Sequence, residues 1–292
     1  MKSFSNKDKY ETEKKANTIR RQVIEMLMEA GSGHPAGALG MADIFAVLYL
    51  HFLRHDPEDP FWEERDRVIL SNGHICPVLY ATLAEVGYFS KEELKTLRRL
   101  GSRLQGHPHR GYLPGIETTS GPLGCGLSQA AGMAIADRMD RGDESESYFY
   151  CFMGDGELNS GNIWEAGMLA SKERLGKLVG VIDRNNIQID GFTKDVMPLE
   201  PLRDKWESWG WLVYEIDGHN IDQIYEAFEK VRSSPDTPKV IIANTIPGKG
   251  VFEFEGKYEW HGKAPDADEG GRALKELAEE DREIDIRYKG LI

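Results

Sequence analysis

Tyr148-Phe149-Tyr150-Cys151-Phe152-Met153-Gly154-Asp155-Gly156 is an apolar run that empties into a glycine-flanked carboxylate, and 30 positions after Asp155 the chain reads Asn185-Asn186. Between the two, 161–173 has helical spacing and 178–183 is a second apolar run. The segment therefore predicts one strand–helix–strand unit. Its strand tips carry Asp155 and Asn185, on the side where open α/β sheets bind ligands. A small divalent cation can be shared there between a hard carboxylate, an amide oxygen, a neighbouring backbone carbonyl and two phosphate oxygens. Magnesium suits that set, since it takes six oxygens and seldom draws them all from protein. Asp-Gly after an apolar strand is also a hairpin signal. The distance to Asn185 and the helix between them argue against a hairpin.

Outward from this unit, helical and extended patterns alternate. Helices are expected over Ala16–Ala30, Met41–Leu53, Pro77–Val86, Lys91–Leu100 (short and charged) and Gly126–Met139, the last rich in small residues. A short strand is expected over Arg67–Leu70, and a further strand–helix–strand over Trp211–Ile216, Ile221–Val231 and Lys239–Thr245. Successive βα units imply an α/β fold with a parallel sheet and helices on both faces. The segment 101–126 is rich in glycine and proline, and an irregular stretch of that length is more often functional than accidental. Residues 1–270 read as the main domain and 271–292 as a charged C-terminal tail with a surface helix over Arg272–Glu283.

The chain has 292 residues and a formal charge of −13, which argues against a nucleic-acid surface or an anionic membrane as partner. Its three cysteines, Cys76, Cys125 and Cys151, show no paired spacing and fit a reducing, cytoplasmic setting. Met1–Lys15 is charged and does not resemble a signal peptide, and no apolar stretch approaches the roughly 20 residues of a membrane span.

Five of the eight histidines sit beside glycine: Gly33-His34, Gly73-His74, Gly106-His107, Gly218-His219 and His261-Gly262. Glycine permits close backbone approach to a ligand, and histidine donates, accepts or carries a proton near neutral pH. A lone loop histidine is more often structural, but five such loops shift the balance toward anion contact and proton handling. His51 and His55 keep the structural reading. Gly121-Pro122-Leu123-Gly124-Cys125-Gly126 opens a helix, so its amides can face a polar ring or a phosphate. Gly31-x-Gly33-x-x-Ala36 matches a dinucleotide fingerprint only superficially, because it follows a helix rather than a strand.

Taken together, these stretches resemble the amino-terminal half of transketolase. The likeness runs through Ser32-Gly33-His34-Pro35, Leu70-Ser71-Asn72-Gly73-His74, Gly106-His107-Pro108, Thr119-Ser120-Gly121-Pro122-Leu123-Gly124, Gly154-Asp155-Gly156-Glu157, Ile182-Asp183-Arg184-Asn185-Asn186-Ile187, Ile189-Asp190-Gly191 and Thr245-Ile246-Pro247-Gly248-Lys249-Gly250. The resemblance implies a thiamine-diphosphate-binding fold. It implies a divalent metal, magnesium or else calcium or manganese, on Asp155, Asn185 and the Ile187 carbonyl. It places His74, Gly154, Gly156 and His261 at the diphosphate, the backbone of Gly121, Pro122 and Leu123 at the aminopyrimidine, and Ile189 near the thiazolium. His34, His74, His107 and His261 would line the substrate channel. The implied reaction moves a two-carbon ketol unit from a ketose to an aldose.

The resemblance also implies a partner. Full-length members continue for about as long again, with a pyrimidine-binding domain carrying the glutamate that activates the cofactor. The expected assembly is an α2β2 heterotetramer with a separately encoded C-terminal subunit, acting on sugars or sugar phosphates. Ser160 stands where many members have glutamate and Cys125 where glutamine is common. Rival readings keep the cofactor but change the reaction, to a 2-oxoacid dehydrogenase component or a deoxyxylulose-phosphate-type synthase, or make the chain a non-catalytic cofactor-binding subunit. His34, His107 and the 245–250 loop favour transketolase.

Overall fold

Alternate residues of each central strand part to opposite faces, and each face is apolar. Val68, Leu70, Tyr150, Phe152, Val179, Val181, Ile241 and Ala243 enter one buried cluster. Ile69, Phe149, Cys151, Met153, Leu178, Ile182, Val240 and Ile242 enter the other. Strands apolar on both faces have to be covered on both, which selects a parallel sheet between two helical layers.

The computed structural model describes residues 4–142, 144–234 and 236–292. Its elements run α1 Asn6–Ala30, α2 Pro35–Gly40, α3 Ala42–Val47, β1 Arg67–Leu70, α4 Cys76–Glu85, α5 Gly126–Arg141, β2 Phe149–Gly154, α6 Gly161–Lys172, β3 Leu178–Arg184, β4 Ile187–Gln188, β5 Gly191–Phe192, α7 Thr193–Val196, α8 Leu202–Ser208, β6 Leu212–Asp217, α9 Ile221–Val231, β7 Lys239–Asn244 and α10 Ala267–Tyr288. The sheet has the order β1-β2-β3-β7-β6, all parallel, and β4-β5 form a separate antiparallel pair. α1 to α4, α9 and α10 contribute to one buried cluster, while α5, α6 and α8 contribute to the other. None of the described helices is long and apolar enough to cross a membrane.

The five strands of the main sheet lie within a residue or so of their expected bounds, β4, β5, α2, α7 and α8 have no counterpart among the expected elements, and four of the expected helices differ. α1 begins at Asn6, ten residues before the apolar periodicity does. Ser5 caps it by accepting from the Asp8 amide while Asp8 reaches back to the Ser5 amide, a capping box that a charged first turn does not weaken. The helix expected over Met41–Leu53 is α3 followed by one π-helical turn at Leu48–Phe52. Lys91–Leu100 is not an α-helix but a 3-10 stretch, Lys91–Thr96, and Arg98 beyond it has φ 59°.

The fourth is the C-terminal helix. α10 spans Ala267–Tyr288, so residue 270 lies in its first turn. It packs along α1: Asn17 Nδ2 donates to the Leu277 carbonyl at 2.8 Å, Lys14 pairs with Asp281 at 2.7 Å, and Leu277 and Ala273 are wholly buried in the main core. Leu277→Ala is therefore expected to cost about 2–5 kcal/mol by cavity formation, read as a lower urea midpoint with unchanged slope. A variant as stable as the parent would show that α10 contributes nothing to the fold.

Candidate active site

The carboxyl ends of β1, β2, β3 and β7 gather the candidate groups. At the tip of β2, Asp155 is buried (1% exposed) and saturated with donors. Its Oδ1 accepts from the Gly156 amide at 2.7 Å; its Oδ2 accepts from Arg184 Nη1 at 2.9 Å, the Asn186 amide at 2.7 Å and Thr193 Oγ1 at 3.3 Å. Asn186 adopts φ 64°, a left-handed conformation that asparagine tolerates, and this aims its amide at Asp155. Burial raises the Asp155 carboxyl above its ordinary range, and Arg184 works against that rise.

At the tip of β3, Asn185 is held by both ends of its amide. Nδ2 donates to Asp183 Oδ2 at 2.8 Å, and Oδ1 accepts from the Ile187 amide at 3.0 Å. Asp183 also accepts from Thr245 Oγ1 at 2.5 Å, so the end of β7 fixes the amide's orientation through one buried carboxylate. Burial, partly offset by the Thr245 bond, pushes Asp183 up to about 7. The Asp155 amide bonds the Asp183 carbonyl at 3.2 Å, which ties the two strand tips together. Among the described residues no three His, Cys, Asp or Glu converge as a metal cluster. A donor set of one carboxylate, one amide oxygen and a backbone carbonyl suits a hard cation completed by ligand phosphates and water.

Above these tips the histidine loops converge. The His34 and His74 ring centroids are 5.1 Å apart, His74 and His261 5.1 Å, and His34 and His261 5.7 Å. A Cβ on Gly73 would lie 3.3 Å from the His107 ring, which puts that ring beside His74. The Nδ1 atoms of His34 and His261 are buried without a protein partner. Buried polar atoms are rarely left so, and two together are consistent with a site built to receive a polar ligand. Burial, with His261, Arg98 and His107 nearby, lowers His34 to about 4. His74 is held well below its ordinary value by burial and its histidine neighbours, and His107 and His261 are lowered chiefly by burial. All four are neutral at pH 7, able to accept a proton or to hydrogen-bond a hydroxyl.

Gly121, with φ 154°, opens the segment before α5, where Pro122 and Leu123 are exposed. Ile189 sits at the turn between β4 and β5, 68% exposed. His219 lies apart from the cluster. Its Nδ1 bonds Asp43 at 2.8 Å, its Nε2 accepts from the Ile246 amide at 2.8 Å, and Asp43 is also held by Arg20, so this histidine anchors the 245–250 loop. Two groups carried no role in the sequence reading. Arg98 forms no ion pair among the described residues, and its guanidinium lies where a Cβ on Gly106 would be 2.9 Å away. Glu157, buried behind the β2 tip, bonds three separate segments. Arg98 has no local spacing signal, and Glu157, although it closes the Gly154-Asp155-Gly156-Glu157 motif, takes its role from bonds to the distant Ser71 and Gly124.

Known proteins resemble this chain over most of its length. The family model for "Transketolase, thiamine diphosphate binding domain" matches residues 11–287. The 6-deoxy-6-sulfo-D-fructose transketolase subunit of Clostridium sp. (strain MSTE9) is 45% identical over 246 residues, 84% of this chain and 88% of that protein. An apulose-4-phosphate transketolase subunit of Phocaeicola vulgatus is 38% identical over 271 residues, 93% of this chain and 95% of that one. Escherichia coli transketolase 2 is 44% identical, but the chain spans 38% of its length. The solved transketolase of Pichia stipitis in complex with sedoheptulose-7-phosphate superposes with a TM-score of 0.85 at 31% identity, over 97% of this chain and 46% of the other. A family model spanning nearly the whole chain, and relatives of similar length at this identity, settle the point: this chain belongs to the transketolase family and carries its thiamine-diphosphate-binding domain.

Proposed function

We propose that this chain is the N-terminal subunit of a split transketolase, catalytic only with a second subunit that supplies the pyrimidine-binding domain and the activating glutamate. The observation that carries the reading is the convergence of His34, His74 and His261 above the strand tips that hold Asp155 and Asn185. The relatives of similar length are themselves described as transketolase subunits, one acting on a sulfonated and one on a phosphorylated sugar. A ketose phosphate or sulfonate donor and an aldose acceptor fit that pattern, in the cytoplasm, in an α2β2 assembly.

In this reading Asp155, the Asn185 amide oxygen and the Ile187 carbonyl hold a magnesium, calcium or manganese ion. His74, Gly154, Gly156 and His261 receive the diphosphate. The Gly121, Pro122 and Leu123 backbone faces the aminopyrimidine, and Ile189 covers the thiazolium. Thiamine diphosphate, when bound, supplies the nucleophilic carbon and the electron sink. The chain's part is orientation and proton handling: neutral His34, His107 and His261 hydrogen-bond sugar hydroxyls, and their free ring nitrogens take up and return protons.

The test is reconstitution. The purified chain with magnesium and thiamine diphosphate should bind cofactor yet leave a ketose donor uncleaved, and adding the partner should start turnover. Ketose cleavage by the chain alone would overturn the split-subunit reading. Pyruvate decarboxylation by the assembled complex, with no ketose cleavage, would instead favour the 2-oxoacid chemistry.

A further inference from the structure

Glu157 is 3% exposed and no cation pairs with it among the described residues. A carboxylate buried without a counter-charge is costly unless donors surround it. The donors here come from three places. Oε1 accepts from Ser71 Oγ, just past β1, and from the Gly124 amide at 2.6 Å; Oε2 accepts from the Gly154 amide at 3.1 Å, at the end of β2. Ser71 Oγ in turn accepts from the Gly126 amide at 2.9 Å, so two amides of the 121–126 segment hang on the Ser71–Glu157 pair. The seam is tight. A Cβ on Gly126 would lie 2.3 Å from the Ser71 Cβ, and one on Gly124 would lie 2.4 Å from Ser160 Oγ. Neither segment can therefore shift toward its neighbour to make up for a lost bond.

The three joined stretches are those read above as ligand-bearing: Ser71 leads to His74, Gly154 leads to Asp155, and Gly124 follows Gly121–Leu123. We propose that Glu157 is a positioning residue for the cofactor, its carboxylate clamping the ring-facing 121–124 segment at a fixed distance from the diphosphate-facing strand tips. The inference rests on the assignment of those segments under the proposed function. Glu157 touches no reacting atom. It sets the span between two halves of one ligand, so its loss should be felt by a ligand that bridges both halves and much less by one that fills only the lower half.

The experiment compares two probes on the full-length chain, magnesium pyrophosphate and magnesium thiamine diphosphate, each titrated by calorimetry against the parent, Glu157→Gln and Ser71→Ala. Glu157→Gln keeps the shape but turns an acceptor into an NH2 that meets amide donors. It should weaken thiamine diphosphate by about tenfold or more, the scale of lost supporting contacts, while pyrophosphate affinity changes by less than about a third of that factor. Ser71→Ala, a milder lesion for the case that the first variant does not fold, should shift the same ratio in the same direction. Amide exchange at Gly124 and Gly126 should quicken in both variants with global stability retained. Equal weakening of the two probes, or an unchanged ratio in a folded variant, would reduce Glu157 to a generic structural group. Asp155→Ala is the control that separates this from the underlying assignment. If that variant binds both probes like the parent, the grip itself is misassigned; if it loses both while the Glu157 ratio stays flat, only the clamp is wrong.

Discussion

Asp155→Ala should lose metal-dependent cofactor binding almost entirely, with magnesium affinity at a fixed thiamine diphosphate concentration falling by at least about 100-fold. Groups that merely support a metal ligand cost 10–100-fold when removed, and Asp155 is the one carboxylate read as a direct ligand. Geometry adds a second penalty. The Asn186 amide, the Gly156 amide and Thr193 Oγ1 all converge on this side chain, so its removal slackens the turn that carries Asn185 and Ile187. The stability cost is smaller than for an ordinary severed buried pair, because Arg184 keeps Glu200 at 2.7 Å. About 1–3 kcal/mol is expected, the penalty of unmet buried hydrogen bonds. Tryptophan fluorescence against magnesium concentration measures the first effect and urea unfolding the second. A folded variant that still binds magnesium and cofactor with the parent's affinity would remove Asp155 from the metal site.

His34→Gln should reduce turnover of the assembled enzyme by about 10²–10⁴-fold, the range of a lost acid–base group, with folding intact at pH 7. It should also change how acid affects stability. Burial, aided by His261, Arg98 and His107, holds His34 near 4 in the folded chain, against 6.5 when unfolded. Between those values the unfolded state binds the extra proton, so stability rises with pH through this window. The contribution of neutral His34 is complete above 6.5 and is lost as pH falls toward 4. Glutamine carries no such proton, so the variant's stability should fall less steeply from pH 6.5 to 4. Asp155 and Asp183, both raised by burial, slope the other way. They are common to both proteins and cancel in the difference. Urea unfolding of parent and variant at several pH values reads the effect, and identical slopes would show that His34 is solvated rather than confined.

The frame was legible in the sequence because buried parallel strands leave an unambiguous signature. β1 spans Arg67–Leu70 as expected, and α9 spans Ile221–Val231 as expected, with Asn220 capping it by accepting from the Gln223 amide. Elements stabilised by distant partners were read less well. The first ten residues of α1 are largely charged and polar, and they acquire their inward face from α10, which begins only at Ala267. Lys91–Leu100 has helical composition, yet Arg98 turns to φ 59° and brings its guanidinium toward the Gly33 and Gly106 loops.

The site divides along the same line. The histidines beside glycine and the Asp155 and Asn185 tips could be found from local motifs. The roles of Asp183, Thr245, Arg184 and Glu157 could not, since each is defined by a bond to a residue between 2 and 86 positions away, and no period encodes those pairings. His219 shows the reverse case. Its glycine neighbour made it look like the others, but both its ring nitrogens are taken by Asp43 and Ile246.

The seam around Ser71, Gly124 and Gly126 has a bearing on how such a protein can diversify. Where even a methyl group would overlap its neighbour, bulk cannot be used as a dial, because overfilling dense packing is itself destabilising. New sugar preferences have to be written where there is slack. The exposed stretch from His109 to Tyr112 has that freedom, and a directed-evolution library would be better aimed there than at the packed seam.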